Sequence, residues 1–392
     1  MYMSNKPRNP SDACTTFSSR RDFIAVTGVA AVTFACFSTS ARAQGRTLKI
    51  GSSFDNSSVE KANGNGNFRG SSAYFNAINK TGGINGAKVE LVIADDQFKP
   101  DVAKANALAL QADKSILAMV NPLGTRQTTA IMEAVQDMAI IGPNTGTSGL
   151  RKTSPPNLFW IRASYDAEVD KLIKTAVTLG MTRIGIVHPK DPLGNSVLAA
   201  FEKSMADAQL KPVVVATTPG TTSAEVEPAA QAIAKVQPQM VIMVLAGVAP
   251  LFMKALRAAG GTSTVYGMSI SASPANITAM GELGRGMGFA LVVPSPFATK
   301  NDLVRRYQLD MAASGWTDYS TPTLEGYVNA RVLGEGLRRA GSSVTRASLI
   351  AALDSITAFN MGGMTISFGE GNRVGGSFVD VGVVGTGGRI IS

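Results

Sequence analysis

Apolar strand-like runs alternate with helical patterns along most of the chain, and the alternation is built twice, which restricts the possible folds to parallel sheets covered by helices. "TLKIGSSF" reads as a first strand and "FRGSSAYFNAINKTGG" as a helix ending at glycine. Strand "AKVELVIADD", a helix at 101–112, strand "SILAMVN", a helix at 126–138 and strand "AIIGPN" complete a first series. The second series runs helix 166–179, "RIGIVH", helix 195–208, "PVVVAT", helix 225–236, "MVIMVLAG", helix 249–259 and "STVYGMS". Beyond "GFALVVPSP" the rhythm breaks into helices near 301–314, 322–340 and 345–354, and short antiparallel strands follow from Met364. The predicted fold class is α/β, with two doubly wound parallel-sheet lobes and several chain crossings that form a hinge.

A separate leader precedes these units. Arg20 and Arg21 stand before an apolar run from Phe23 to Phe37, about 15 residues against the roughly 20 that span a bilayer. With the small-residue end Ala41-Arg42-Ala43, residues 1–43 read as a signal peptide cleaved before Gln44, and Ser-Arg-Arg-Asp-Phe-Ile resembles the twin-arginine export signal. The expected location is periplasmic. Cys14 and Cys36 both fall in the leader, so the remaining 349 residues carry no cysteine. Removing five basic and two acidic leader residues leaves 32 basic and 26 acidic, or +6, spread without a basic run. That distribution argues against a nucleic-acid partner.

Catalytic and cofactor signals are sparse. His188 is the single histidine, so a zinc, iron or copper site is hard to build, and no Gly-x-Ser-x-Gly elbow accompanies it. It reads as structural or cleft-lining. "GNGNFRG" (64–70) misses the dinucleotide fingerprint by one residue and reads as a flexible loop before the first helix. No phosphate loop occurs, and no cofactor is expected. Asp95 and Asp96 are adjacent on an extended strand, point to opposite faces and read as loop-bonding residues. The turns "NPLGTRQTT" and "GPNTGTSG" follow apolar strands and place Thr125, Thr128, Asn144, Thr145 and Thr147 at the ends of strands, where helix N-termini hold carboxylates. Ordinary helix capping explains the same residues equally well.

"NAINKTGGINGAKVELVIADD", "NPLGTRQTTAI", "AIIGPNTGT" and "RIGIVHPKDPLGNSVLAAFEKSMADAQL" resemble the type I periplasmic binding proteins of branched-chain amino acid transport systems, and the likeness covers about residues 46–392. The resemblance implies two lobes joined by three crossovers, closing on a small molecule for an inner-membrane ABC permease and its ATPase. It implies an N-terminal lobe of 46–162 plus about 295–355 and a C-terminal lobe of 163–294 plus about 356–392. It implies that Thr125, Asn144, Thr145 and Gly146 hold a ligand carboxylate. Leu193 stands where the family usually has tyrosine, and Ser269 where it has an acidic partner for the ligand ammonium. Burying an unpaired ammonium costs several kcal/mol, so the expected ligand is a small carboxylate lacking that group, with Leu193 and Phe54 as apolar contacts. Amino-acid binding, an exported ligand-sensing module and an exported hydrolase using His188 are the alternatives.

Overall fold

Strand pairing follows the apolar runs in the computed structural model, which describes residues 45–369 and 371–392. The leader reading lies outside the described residues. β1 (Thr47–Phe54), β2 (Lys88–Asp95), β3 (Ile116–Val120), β4 (Ala139–Ile141) and β5 (Leu158–Phe159) form a parallel sheet in the order β2-β1-β3-β4-β5. Helices α1 (Lys61–Lys80), α2 (Pro100–Ala112), α3 (Thr125–Ala134) and the short α4 (Ser148–Lys152) connect its strands.

The second lobe repeats the plan with α5 (Tyr165–Thr178), β6 (Ile184–Pro189), α6 (Pro192–Asp207), β7 (Val214–Thr218), α7 (Glu227–Val236), β8 (Met240–Met243), α8 (Ala249–Ala258), β9 (Thr264–Gly267), α9 (Pro274–Met280) and β10 (Gly288–Leu291). The chain then returns to the first lobe as α10 (Asp302–Ala313), α11 (Thr321–Ala340), α12 (Arg346–Asp354) and the hairpin β11 (Phe359–Asn360) and β12 (Thr365–Ile366). Finally β13 (Asp380–Val384) and β14 (Ile390–Ile391) add antiparallel strands beside β10, giving the order β14-β13-β10-β9-β8-β6-β7.

Burial shows which lobe each segment serves. Leu303, Tyr307, Leu324, Val328 and Leu353 share one core with Ile50, Val120 and Ile141. Val187, Val241, Phe252 and Phe289 belong to the other lobe. The chain therefore passes between lobes three times: near 160–164, near 292–301, and between Phe368 and Asp380. The last passage lies later than the expected boundary near 356. Ile356, Met361, Met364, Ile366 and Phe368 still fill the first core, and Val374 pairs with Trp160 alongside the first passage.

The "GNGNFRG" stretch is not a loop. It lies inside α1, with Gly64, Gly66 and Gly70 buried. A Cβ on Gly70 would overlap the Thr323 carbonyl oxygen, one on Gly66 would press on Pro322, and one on Gly326 would meet the Asn67 backbone. Glycine costs about 1 kcal/mol in a helix interior relative to alanine. Here the missing side chains let α1 and α11 meet backbone to backbone, so packing overrides propensity.

Candidate functional site

The loops after β1, β2, β3 and β4 face those after β6, β7, β8 and β9 across a cavity of about 250 Å³, with the start of α11 also contributing. This is the carboxyl-end location where open α/β sheets bind ligands. Thr125, Asn144, Leu193 and Ser269 line it, so four of the expected residues converge from both lobes.

α3 begins at Thr125 after Gly124, which has φ 98° and offers no side-chain acceptor to the first-turn N–H groups. Those donors and the positive end of the helix dipole favour an anion. The Thr125 hydroxyl lies 2.8 Å from that of Thr145 and 3.1 Å from that of Thr147. Thr145 therefore stands behind the cavity wall, holding Thr125. Gly146 also lies outside the lining; a Cβ there would strike Tyr165, which itself faces the cavity. Thr128 is buried behind the wall, its hydroxyl without a partner among the described residues.

Phe54 does not face the cavity. It is buried and stacks on Phe68 at 6.2 Å between ring centroids. Phe98 supplies an aromatic face to the lining instead. Its turn sets Gln97 and Phe98 at φ 52° and 58°, and the Phe98 carbonyl accepts from Gln127 Nε2 at 2.6 Å. Two consecutive left-handed residues are costly for side chains with a Cβ, about 1–2 kcal/mol each. No propensity signal announces that conformation.

His188 is buried outside the lining, its Nδ1 3.0 Å from the Pro189 carbonyl oxygen. Burial depresses its pKa, against the opposing influence of that carbonyl and Asp191. Asp95 accepts from Asn56 N, Ser57 Oγ and Gln97 N, and Asp96 from Ser53 Oγ and Phe98 N, so the pair organises the loops around the cavity mouth. Burial lifts Asp96 to about 6.

Sequence reasoning missed the buried charged residues of the lining, Glu60, Arg162 and Glu325, which come from three distant segments. Arg162 sits on the first passage between lobes. Its guanidinium donates to Glu168 Oε1 at 3.0 Å and to Ser269 Oγ, and lies 3.4 Å from Glu325 Oε1. Glu168 in turn accepts from the Ser269 amide and hydroxyl, each at 2.9 Å. Burial disfavours the Arg162 charge, but Glu325 and Glu168 outweigh it and hold the guanidinium above its ordinary range. Glu325 is raised because burial outweighs its attraction to Arg162. The Asn144 amide lies between Asn67 and Glu325: its nitrogen donates to Asn67 Oδ1 at 2.8 Å, and with the amide turned over it would instead face both Glu325 oxygens at 3.2 Å.

Glu60 is 3% exposed and accepts from Asn63 Nδ2 at 2.8 Å and from the Gly247 amide at 2.8 Å. Burial raises its carboxyl to about 7. The cavity thus contains carboxylates even though Ser269 is uncharged. The inference that a ligand ammonium would lack a partner loses its premise, because the acidic groups come from α11 and the start of α1 rather than from the turn after β9.

A periplasmic binding protein family model matches residues 47–387. The chain is 30% identical to a substrate-binding periplasmic protein from Ralstonia solanacearum, with a TM-score of 0.79 over 88% of this chain and 99% of that one. It is 25% identical to an extracellular ligand-binding receptor from Verminephrobacter eiseniae ef01-2, with a TM-score of 0.81 over 88% of this chain and 100% of that one. An amino acid binding protein from Pseudomonas aeruginosa is 26% identical over 153 residues, or 38% of this chain. The chain spans 40% of the length of that curated relative.

Proposed function

We propose, from the premise that this chain belongs to the periplasmic binding protein family, that it is the solute-binding component of an ABC importer and takes up a small zwitterion of the amino-acid type. The family consists of solute-binding proteins rather than enzymes. The observation that carries the ligand class is the lining itself, which holds both kinds of partner. The α3 start with Thr125 and Arg126, and Lys190 opposite, suit a carboxylate, while Glu60 is a buried carboxyl without a cationic partner among the described residues. Phe98 and Leu193 provide apolar contact for the ligand body. Capture works by closure of the lobes over the ligand, after which the closed form is read by an inner-membrane permease and its ATPase. In this reading the mature chain acts in the periplasm.

A carboxylate lacking an ammonium is the second reading. It is favoured by Ser269, which accepts from Arg162 where the family pattern places an acidic residue. Thermal-shift titration separates the two, since ligand binding to the native state raises the melting temperature by mass action. Amino acids are expected to raise it more than the matching acids without an amino group. The opposite order establishes the second reading, and turnover of any compound refutes solute binding as the sole activity.

A further inference from the structure

Glu60 is placed to do more than contact a ligand. It belongs to the first lobe, at the start of α1, and the amide that donates to its Oε1 belongs to Gly247, in the loop after β8 of the second lobe. One turn along α1, Asn63 donates to Glu60 Oε2 at 2.8 Å and to the Ile270 carbonyl, again in the second lobe, at 3.3 Å. A Cβ on Gly247 would lie 2.8 Å from the Val59 carbonyl oxygen, so the absence of a side chain lets the two loops meet. Parting of the lobes would break both contacts and admit water to the carboxyl.

We propose that Glu60 is a proton-carrying latch between the lobes: in the closed ligand-free cleft its carboxyl is protonated, so acid favours closure. The inference rests on the two-lobe closure proposed above. The groups facing Glu60 support it. Asp55 lies on the preceding loop and adds a like charge; its own carboxylate accepts from the Glu60 amide at 2.7 Å. Neither the Gly247 loop nor the turn at 269–273 carries a titratable side chain. Elsewhere in the cavity Arg162 is engaged by Glu168 and Glu325, while Arg126, Lys190 and Asp191 line other parts. Asn63 and Gly247 are neutral donors, so nothing compensates a buried negative charge fully, and such a group takes up a proton instead.

The direction follows from linkage. Burial in this structure lifts the carboxyl to about 7, against the two donated hydrogen bonds; exposure to water on opening would return it to the ordinary carboxylate range. Stabilisation of the closed form is complete below the ordinary value and is lost as pH rises through about 7. From pH 8 to pH 5.5 the closed-to-open ratio should rise on the order of tenfold.

The mature chain has no cysteine, so spin labels introduced at Glu133 of α3 and Glu202 of α6 report the distance between lobes without background. In ligand-free protein the short-distance population is expected to grow on acidification, and in Glu60→Gln to stay constant at the level reached by the parent in acid. Glu60→Ala, which removes the acceptor, is expected to lose that population at every pH. A parent population that ignores pH, or a Glu60→Gln variant that still responds, overturns the latch. If the distance never shortens with any amino acid or organic acid, the closure reading itself fails; shortening with a compound in the absence of a Glu60-dependent pH response removes only the latch.

Discussion

At the scale of single residues, the most consequential group is Arg162, fully buried between two carboxylates of different lobes. Removing one member of a buried ion cluster leaves uncompensated charge, and such losses run about 3–5 kcal/mol. Arg162→Ala is therefore expected to lower unfolding stability by about that amount at pH 7.5 in urea titrations. Without the guanidinium, the attraction that holds Glu325 down is lost and its folded-state value moves further upward, so it stabilises the folded variant progressively as pH falls through that raised range toward the ordinary carboxylate value. The deficit should therefore shrink at pH 5.5. An equal deficit at both pH values would mean that packing, not charge burial, is what Arg162 contributes. Nothing in the local sequence marks this residue: "FWIRAS" reads as a short apolar run with one arginine, and its partners lie 6, 107 and 163 positions away.

Among the elements, α1 shows where local rules and packing disagree. Asn-Gly-Asn-Gly suggests a loop, and glycine weakens a helix, yet the backbone contact with α11 requires it. Gly70→Ala improves intrinsic helix propensity by about 1 kcal/mol but forces a Cβ into the Thr323 carbonyl. The expected net effect is destabilisation by at least 2 kcal/mol, the scale of overpacking in a tight core. Gly149→Ala in α4, where a Cβ meets nothing within 4 Å, is expected to be neutral or mildly stabilising. Paired melting curves decide the point, and a stabilised Gly70→Ala would refute the close helix contact. Strand and helix patterns locate "TLKIGSSF" and "FRGSSAYFNAINK", whereas the composition of residues 64–67 suggests a loop where the structure continues the helix toward its start at Lys61.

For the whole molecule, three chain passages connect two separately packed cores, so the proposed closure would be a hinge motion about those passages. Small-angle scattering should show a smaller radius of gyration once a stabilising compound from the thermal-shift panel is added, because closure brings the lobes together over the cavity. Unchanged scattering with a bound compound would argue for a preformed, rigid site.

By itself, the sequence determined the twofold α/β plan, because short apolar runs alternating with period-3.6 helical patterns record how each segment buries its own surface. It also placed Thr125 and Asn144 at the ends of strands where the cavity forms, and the family resemblance added Leu193 and Ser269. Only the tertiary structure decided that Glu60, Phe98, Arg162 and Glu325 join them, that Phe54 packs away, and that the third passage follows Phe368. The physical reason is that periodicity reports burial within a segment but carries no record of which remote segment supplies the covering surface; charge pairing and lobe contacts exist only after the chain has crossed back on itself.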